Sequence, residues 1–417
     1  MTDKVDRSRD AEIEIRDYVH AQDLAEVKRI WQEVGWVEDE HEINQLDHFF
    51  QAGATKVATI NGSVECSVNV VPGTMRLNET DLSMAAVTAV TTGRVARGYS
   101  FAQKVTALQL QAAAERGAAM AALGMFDQGF YDKLGFGTGA YEHEVTFDPG
   151  LLRVSASAAP PPVRLSHDDS DAMHDALCAR MKSHGSVCLL DKMNFKGELG
   201  FTESAFGFGY RDESGAITHF IWLDPKAEHG PYRVLFYAYQ TTEQLMELMS
   251  LIKSLADQVY SIKMIEPAQI QLQALLSRPM RQMGLTEGSV HKNMIRSLAW
   301  WQARVIDVGQ AVAAVKVAKP VRFQLSVSDP ITDHIPEGIG TDGDYIINLN
   351  DNPQAERGLD DSLPRLECDV GALTRLLFGV APATNLALTD QLQAPDELLR
   401  GLNEAIALPQ PNTGWDF

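Results

Sequence analysis

Residues 85–117 read AAVTAVTTGRVARGYSFAQKVTALQLQAAAERG. An apolar run leads into a turn with two arginines around Gly98, and an amphipathic stretch follows with Phe101, Val105, Leu108 and Ala112 at helical spacing. The pattern predicts a strand, an Arg/Gly turn and a helix that stops near Gly117. Between Leu82 and Ala114 there is no Asp or Glu, although the chain carries a formal net charge of -20, and Arg94, Arg97 and Lys104 gather there. A helix start offers free backbone N–H groups and the positive end of its dipole, and glycine admits a ligand close to the main chain. The junction therefore suits an anion. A plain surface turn uses the same residue types, so its meaning depends on what surrounds it.

Upstream, AEIEIRDYV reads as a strand, and Leu24, Val27, Ile30, Trp31 and Val34 form one helical stripe. KVATI, Asn61-Gly62 and SVECSVNVV predict a hairpin with a type I′ turn, because both turn positions need positive φ. Downstream, AAMAALG reads as a short buried strand, GFYDKLGFG as a helical segment, and YEHEVTF as an alternating strand that ends the first domain. The first domain thus reads β-α-β-β-β-α-β-α-β. Ala158-Ala159-Pro160-Pro161-Pro162 is a stiff linker and marks a boundary. Beyond it a helix near 168–182, a hairpin at Asp212-Glu213-Ser214-Gly215, the strand YRVLFYAYQ and the helix TTEQLMELMSLIKSLADQVY repeat the order loosely. That points to an internal duplication whose second copy lacks the Arg-x-x-Arg-Gly turn. We expect three domains: 1–155, 156–300 and 301–417.

The 417 residues exceed one ordinary core, and 45% hydrophobic content supports fully folded domains. Cys66, Cys178, Cys188 and Cys368 are scattered without a C-x-x-C pair, which argues against a disulfide framework and a thiolate zinc site. A reducing cytoplasm fits this usage. The polar, acidic start and the shortness of the apolar runs argue against a secretory signal or a membrane span. The acidic balance disfavours nucleic acid and anionic membranes as partners, and residues 301–417 hold 8 Lys/Arg against 17 Asp/Glu.

The order strand, Arg/Gly turn, helix, strand and F-Y-x-K-x-G-F (Phe130 to Phe136) resembles the GNAT acyltransferases. Where that family usually has Gln or Arg, Val95 stands, and Gly98-Tyr99-Ser100 matches the end of its turn motif. Over its full length the chain resembles the Eis (enhanced intracellular survival) family. VTAVTTGRVARG and GFYDKLGFG match its cofactor loop and tyrosine segment, GFGYRD and YRVLFYA its middle sheet, and LAWWQARVIDVGQAV and PRLECDVGALTRLLFG its last domain. The resemblance implies an α+β fold: tandem GNAT domains with mixed sheets flanked by helices, the second without a cofactor loop, and a C-terminal sterol-carrier-protein-like domain.

The activity it implies is acetyl-coenzyme A-dependent N-acetylation of primary amines on a cationic small molecule or a lysine-containing peptide. The coenzyme would lie on Val90, Thr91, Arg94, Val95, Ala96, Arg97, Gly98, Tyr99 and Ser100. The family's general acid falls on Tyr131 and its general base on the C-terminal carboxylate of Phe417. Asp416, Asp127, Glu33 and Trp36 fall where the acceptor is bound. No metal is implied, and the family forms homo-oligomers, specifically hexamers. An amine must lose a proton as it attacks a thioester and the departing sulfur must gain one, so an acid and a base divide the work. Two other functions are compatible with the sequence: an apolar-ligand carrier acting through the last domain, and a coenzyme sensor without turnover. A rival cluster, His167, Asp168, Asp171, His174, Asp175, Cys178 and His184, has one metal-like spacing, His174 to Cys178, but its acids also fit a helix start.

Overall fold

The computed structural model describes residues 11–155, 160–278 and 292–415. Asp416 and Phe417, and Ala158 and Ala159 of the linker, lie outside these residues. The first half runs β1 (Ile13–Asp17), α1 (His20–Val34), α2 (Glu40–Gln51), β2 (Ala54–Ile60), β3 (Ser63–Leu77), β4 (Thr80–Thr92), α3 (Phe101–Glu115), β5 (Met120–Gly124), β6 (Gly137–Thr138) and β7 (Glu142–Phe147). Asn61 and Gly62 sit at φ 51° and 84°, as the hairpin between β2 and β3 requires. The helical segment expected after β5 is only one 3-10 turn, Tyr131–Leu134, closed off by Gly135 at φ 77°. Helix α2 goes beyond the expected order. Its cap is local: Asp39 accepts from Glu42 N at 2.9 Å and Glu42 accepts from Glu38 N at 2.8 Å.

The second half contains β8 (Val163–Leu165), α4 (Ser170–Ala179), β9 (Val187–Leu189), α5 (Lys192–Gly200), β10 (Phe206–Arg211), β11 (Ile217–Pro225), β12 (Tyr232–Ala238), α6 (Thr242–Ser254), β13 (Ile262–Ile265) and β14 (Met294–Leu298). The last region contains β15 (Trp301–Val305), α7 (Val308–Ala313), β16 (Val321–Ser328), β17 (Gly343–Leu349), β18 (Gln354–Arg357), β19 (Arg365–Asp369), α8 (Val370–Leu377), α9 (Ala383–Thr389), β20 (Leu392–Gln393) and α10 (Asp396–Ala405). Three sheets result, in an α+β arrangement. Their orders are β1-β2-β3-β4-β5-β15-β6 with β9 added to β3, β14-β7-β13-β12-β11-β10-β8, and β18-β17-β16-β19-β20.

The first two sheets exchange strands reciprocally. β7, expected in the first sheet, lies between β13 and β14 of the second, and β15 lies between β5 and β6 of the first. Each of the two sheets thus takes in one strand from a distant part of the chain, an exchange that the expected order of elements did not include. A continuous core seals the seam between these sheets, with Trp222, Trp301, Leu325 and Trp415 in one buried cluster. Gly139 is required there, because a Cβ on it would lie 2.3 Å from the Trp301 ring.

Candidate active site

β4 pairs with β5 only from Met84 to Ala86, but stays paired with β3 as far as Thr92. Beyond Ala86 the two parallel strands separate, so the edge of β4 from Val87 to Thr92 has no strand partner on the β5 side. A bulge sharpens the separation: Ala89 lies at φ 53°, and the register slips between Ser67 and Asn69. The ladder position lost at Val68 is repaired from α3, whose Gln109 Nε2 donates to Val68 O at 2.9 Å and to Ala54 O at 2.7 Å. The result is a wedge between strands.

The loop between β4 and α3 leaves this wedge at Gly93, whose N–H donates to Glu65 O at 2.8 Å. Arg94 N donates to the Glu33 carboxylate. Gly98 and Ser100 both take left-handed φ, 94° and 58°, and no side chain caps α3. Among the described residues the backbone N–H groups of Arg97, Gly98 and Ser100 have no acceptor, and the exposed Arg97 guanidinium has no ion-pair partner. A Cβ built on Gly98 meets nothing within 4 Å, so the backbone there faces open space. Three unpaired donors, a cation and a bare backbone fit a diphosphate. Val95 is exposed, Ala96 is buried against the core, and Thr91 is held in the sheet by a 2.8 Å hydrogen bond with Ser67.

Tyr131 opens the 3-10 turn after β5. Its ring is 2% exposed and packs edge-on against Phe130, Phe126 and Phe136 at centroid distances of 4.9, 5.7 and 6.0 Å. Burial pushes its phenol well above the ordinary value, and the neighbouring Cys66 of β3 adds to the rise. The group therefore stays protonated at neutral pH. Its hydroxyl has no hydrogen-bond partner among the described residues.

Residues 14–139 match the family model of the acetyltransferase (GNAT) domain, and residues 308–413 match that of the sterol carrier protein domain. The first domain is a GNAT acetyltransferase domain. The chain is similar to a GCN5-related N-acetyltransferase from Anabaena variabilis (TM-score 0.79, 17% identity, 97% of this chain and 100% of that one). It is also similar to a probable N-acyltransferase from Enterococcus faecalis (0.77, 16%, 97% and 100%) and to Eis1 from Mycobacterium abscessus (0.75, 16%, 97% and 100%). At these identities the likeness establishes a shared fold over almost the whole chain. No curated protein matches it in sequence. GNAT acetyltransferases use acetyl-coenzyme A.

The structure gathers the coenzyme-binding candidates onto the end of β4 (Val90 and Thr91) and the loop that follows it (Arg94 to Ser100), but spreads the acceptor candidates. Glu33 is tied to the loop, accepting from Arg94 N and pairing with Arg29 at 3.1 Å. Trp36 is half exposed, edge-on to Trp31 at 5.0 Å, and Asp127 is exposed in the turn before Tyr131. Two carboxylates escaped the sequence reading. Glu65, buried on β3, pairs through Oε1 with Arg29 at 3.1 Å and leaves Oε2 unpartnered, 2.2 Å from where a Cβ on Gly93 would lie. Burial raises its pKa against the pull of Arg29. An acid inside the apolar run SVECSVNVV was the available signal. Glu142, buried on β7, accepts from Thr413 N at 2.9 Å, Thr413 Oγ1 at 3.0 Å and Trp300 Nε1 at 2.8 Å.

Glu142 thereby anchors the C-terminal tail. Arg180 donates to Thr413 O at 3.2 Å and stacks over Trp415 at 5.7 Å, while His174 and Phe195 each meet that ring at 5.8 Å. A cavity of about 240 Å³ lies beside the tail, lined among others by Glu142, Arg233, Phe236, Trp300 and Trp415. The histidines of the rival cluster serve packing: His167, His174 and His184 bond the carbonyls of Leu199, Leu189 and Phe378. Among the described residues no group of three or more His, Cys, Asp and Glu could hold a metal, and no helix is long and apolar enough to cross a membrane. All four cysteines are free thiols.

Proposed function

We propose that the protein transfers the acetyl group of acetyl-coenzyme A to a primary amine of a cationic acceptor, an aminoglycoside, a polyamine or a lysine side chain, by direct attack. The observation that carries this reading is the wedge between β4 and β5, with an uncapped, acid-free loop at its mouth and a buried tyrosine beside Cys66, which pairs with Thr92 at the end of the open edge. The N–H groups of Arg97, Gly98 and Ser100, with Arg94 and Arg97, would hold the diphosphate, and Val90 and Thr91 line the open edge of β4. The coenzyme supplies the acetyl thioester. Tyr131 gives its proton to the departing sulfur, a role supported by its being protonated at neutral pH and by its unpartnered hydroxyl.

The carboxylate of Phe417 is the proposed base; Thr413, four residues before it, is held by Glu142, and Trp415, two residues before it, lies under Arg180. Asp416, Asp127, Glu33 and Trp36 would meet the acceptor. Acidic groups concentrate a polycation, but they also stabilise its protonated, unreactive form, so a local base is needed. A thiol-release assay with acetyl-coenzyme A and a panel of aminoglycosides, polyamines and lysine peptides tests the proposal. Turnover is expected with at least one polycationic amine. Failure with every amine, while the coenzyme still binds, would sink it.

A further inference from the structure

The turn that carries Tyr131 is held from behind by a strand that belongs to a later part of the chain. β15 places Gln302 and Arg304, two residues apart and both fully buried, on one face against this turn. Gln302 Nε2 donates to Asp132 Oδ1 at 2.7 Å and to Thr138 Oγ1 at 3.2 Å. Arg304 Nη1 donates to Leu134 O, the last carbonyl of the turn, and Arg304 Nη2 donates to Asp329 Oδ2. Asp329 is itself fixed in the third domain, where its Oδ1 accepts from Ile331 N at 3.1 Å and caps a short 3-10 turn. A fully buried guanidinium thus joins a third-domain carboxylate to the backbone of the tyrosine turn.

The two backbones also touch where only glycine fits. A Cβ on Gly135 would lie 2.4 Å from Val370 Cγ1 and 3.1 Å from Asp329 Oδ1, and one on Gly137 would lie 2.5 Å from Gly371 O. Tyr131 contributes nothing to its own aim, because its hydroxyl has no partner among the described residues. Its direction follows from the position of the turn and from the rings around it. A proton donor acts only within about 2.6–3.2 Å of its acceptor, so a small displacement of the turn matters.

We infer that Arg304 and Asp329 are positioning residues for Tyr131, through which the sterol-carrier-like domain sets the placement of the general acid. The inference rests on the role proposed above for Tyr131. Asp329→Asn breaks the charge pair; because it leaves a buried arginine unpaired, Arg304→Met combined with Asp329→Asn serves as a second variant without a buried charge. Either should lower kcat about tenfold while the KM for acetyl-coenzyme A, set on a different element, stays within about twofold. In a Tyr131→Phe background the same changes should cost nothing further, since residues acting through one group are non-additive. Amide hydrogen exchange over residues 131–136 should quicken, and that over α3 should not. An equal loss of kcat in both backgrounds, or unchanged exchange over 131–136, overturns this inference alone. Full activity of Tyr131→Phe by itself refutes the acid role and this inference with it.

Discussion

The two halves of the molecule build the same unit, a strand, a helix, a parallel strand and a 3-10 turn, and finish it in opposite ways. In the second half β12 passes to α6 through a short link, where Thr241 Oγ1 accepts from Gln244 N at 3.3 Å and Gln244 Oε1 accepts from Gln240 N at 2.7 Å. The helix caps itself. In the first half β4 passes to α3 through residues 93–100, with no side-chain cap and the N–H groups of Arg97, Gly98 and Ser100 left open. The 3-10 turns differ in the same sense: the first begins with Tyr131, the second with Leu272, fully buried and without a proton to give. An uncapped helix start costs about 1 kcal/mol. The first unit bears this cost at the place where a ligand's oxygens would repay it.

The contrast can be broken most severely at the tyrosine. Tyr131→Phe should slow acetyl transfer about 100- to 10,000-fold with little change in coenzyme affinity, measured by steady-state kinetics and calorimetry. Gly98→Val places a β-branched residue at φ 94°, where an L side chain costs roughly 1–2 kcal/mol, so the loop should relax away and acetyl-coenzyme A bind about tenfold more weakly. Arg97→Ala should weaken the coenzyme about three- to tenfold at low salt, and titrations in rising salt should narrow the gap as screening replaces the lost charge. Thr241→Ala, at the matching junction of the second half, should cost about 1 kcal/mol in urea unfolding and leave coenzyme affinity unchanged.

The smallest effect tests the seam that joins the units to the last domain. Burial holds His184 below its ordinary pKa; its Nδ1 accepts from Asn78 N at 3.0 Å and its Nε2 donates to Phe378 O at 3.0 Å. The folded state therefore favours the neutral ring. The His184 contribution is present above about pH 6.5, and is lost as the pH falls through the lowered folded value. Melting curves of the wild type and His184→Gln should converge toward acid pH.

What the sequence disclosed was local. The Asn61-Gly62 turn, the acid-free loop, α3 and the tyrosine segment depend on neighbours along the chain, and the structure has each where the residues predict it. α2 was also written locally, in Asp39 and Glu42 ahead of Ile43, Leu46, Phe49 and Phe50, but its polar opening obscured the apolar stripe. The strand exchange had no local mark. β7 alternates as a strand in either sheet, and only packing against β13 and β14 selects its place. Glu65 and Glu142 are inward acids in strands, and what they hold, Arg29 and the tail, lies 36 and 271 residues away. Of the acceptor candidates, Glu33 is engaged by the loop, which charge pattern alone does not reveal.

The place of β15 also governs when the catalytic half can mature. Met120–Gly124 has its outer edge covered only by Trp301–Val305. On the ribosome, then, the domain matched by residues 14–139 emerges with an open edge and must wait for more than 160 further residues before that edge is closed. At synthesis rates of about 5–20 residues per second that is a delay of roughly 10–30 s, during which an apolar strand edge is available to other nascent chains. Closure of that sheet edge is thus a late event in the life of the polypeptide, reached only after residues 301–305 have been made.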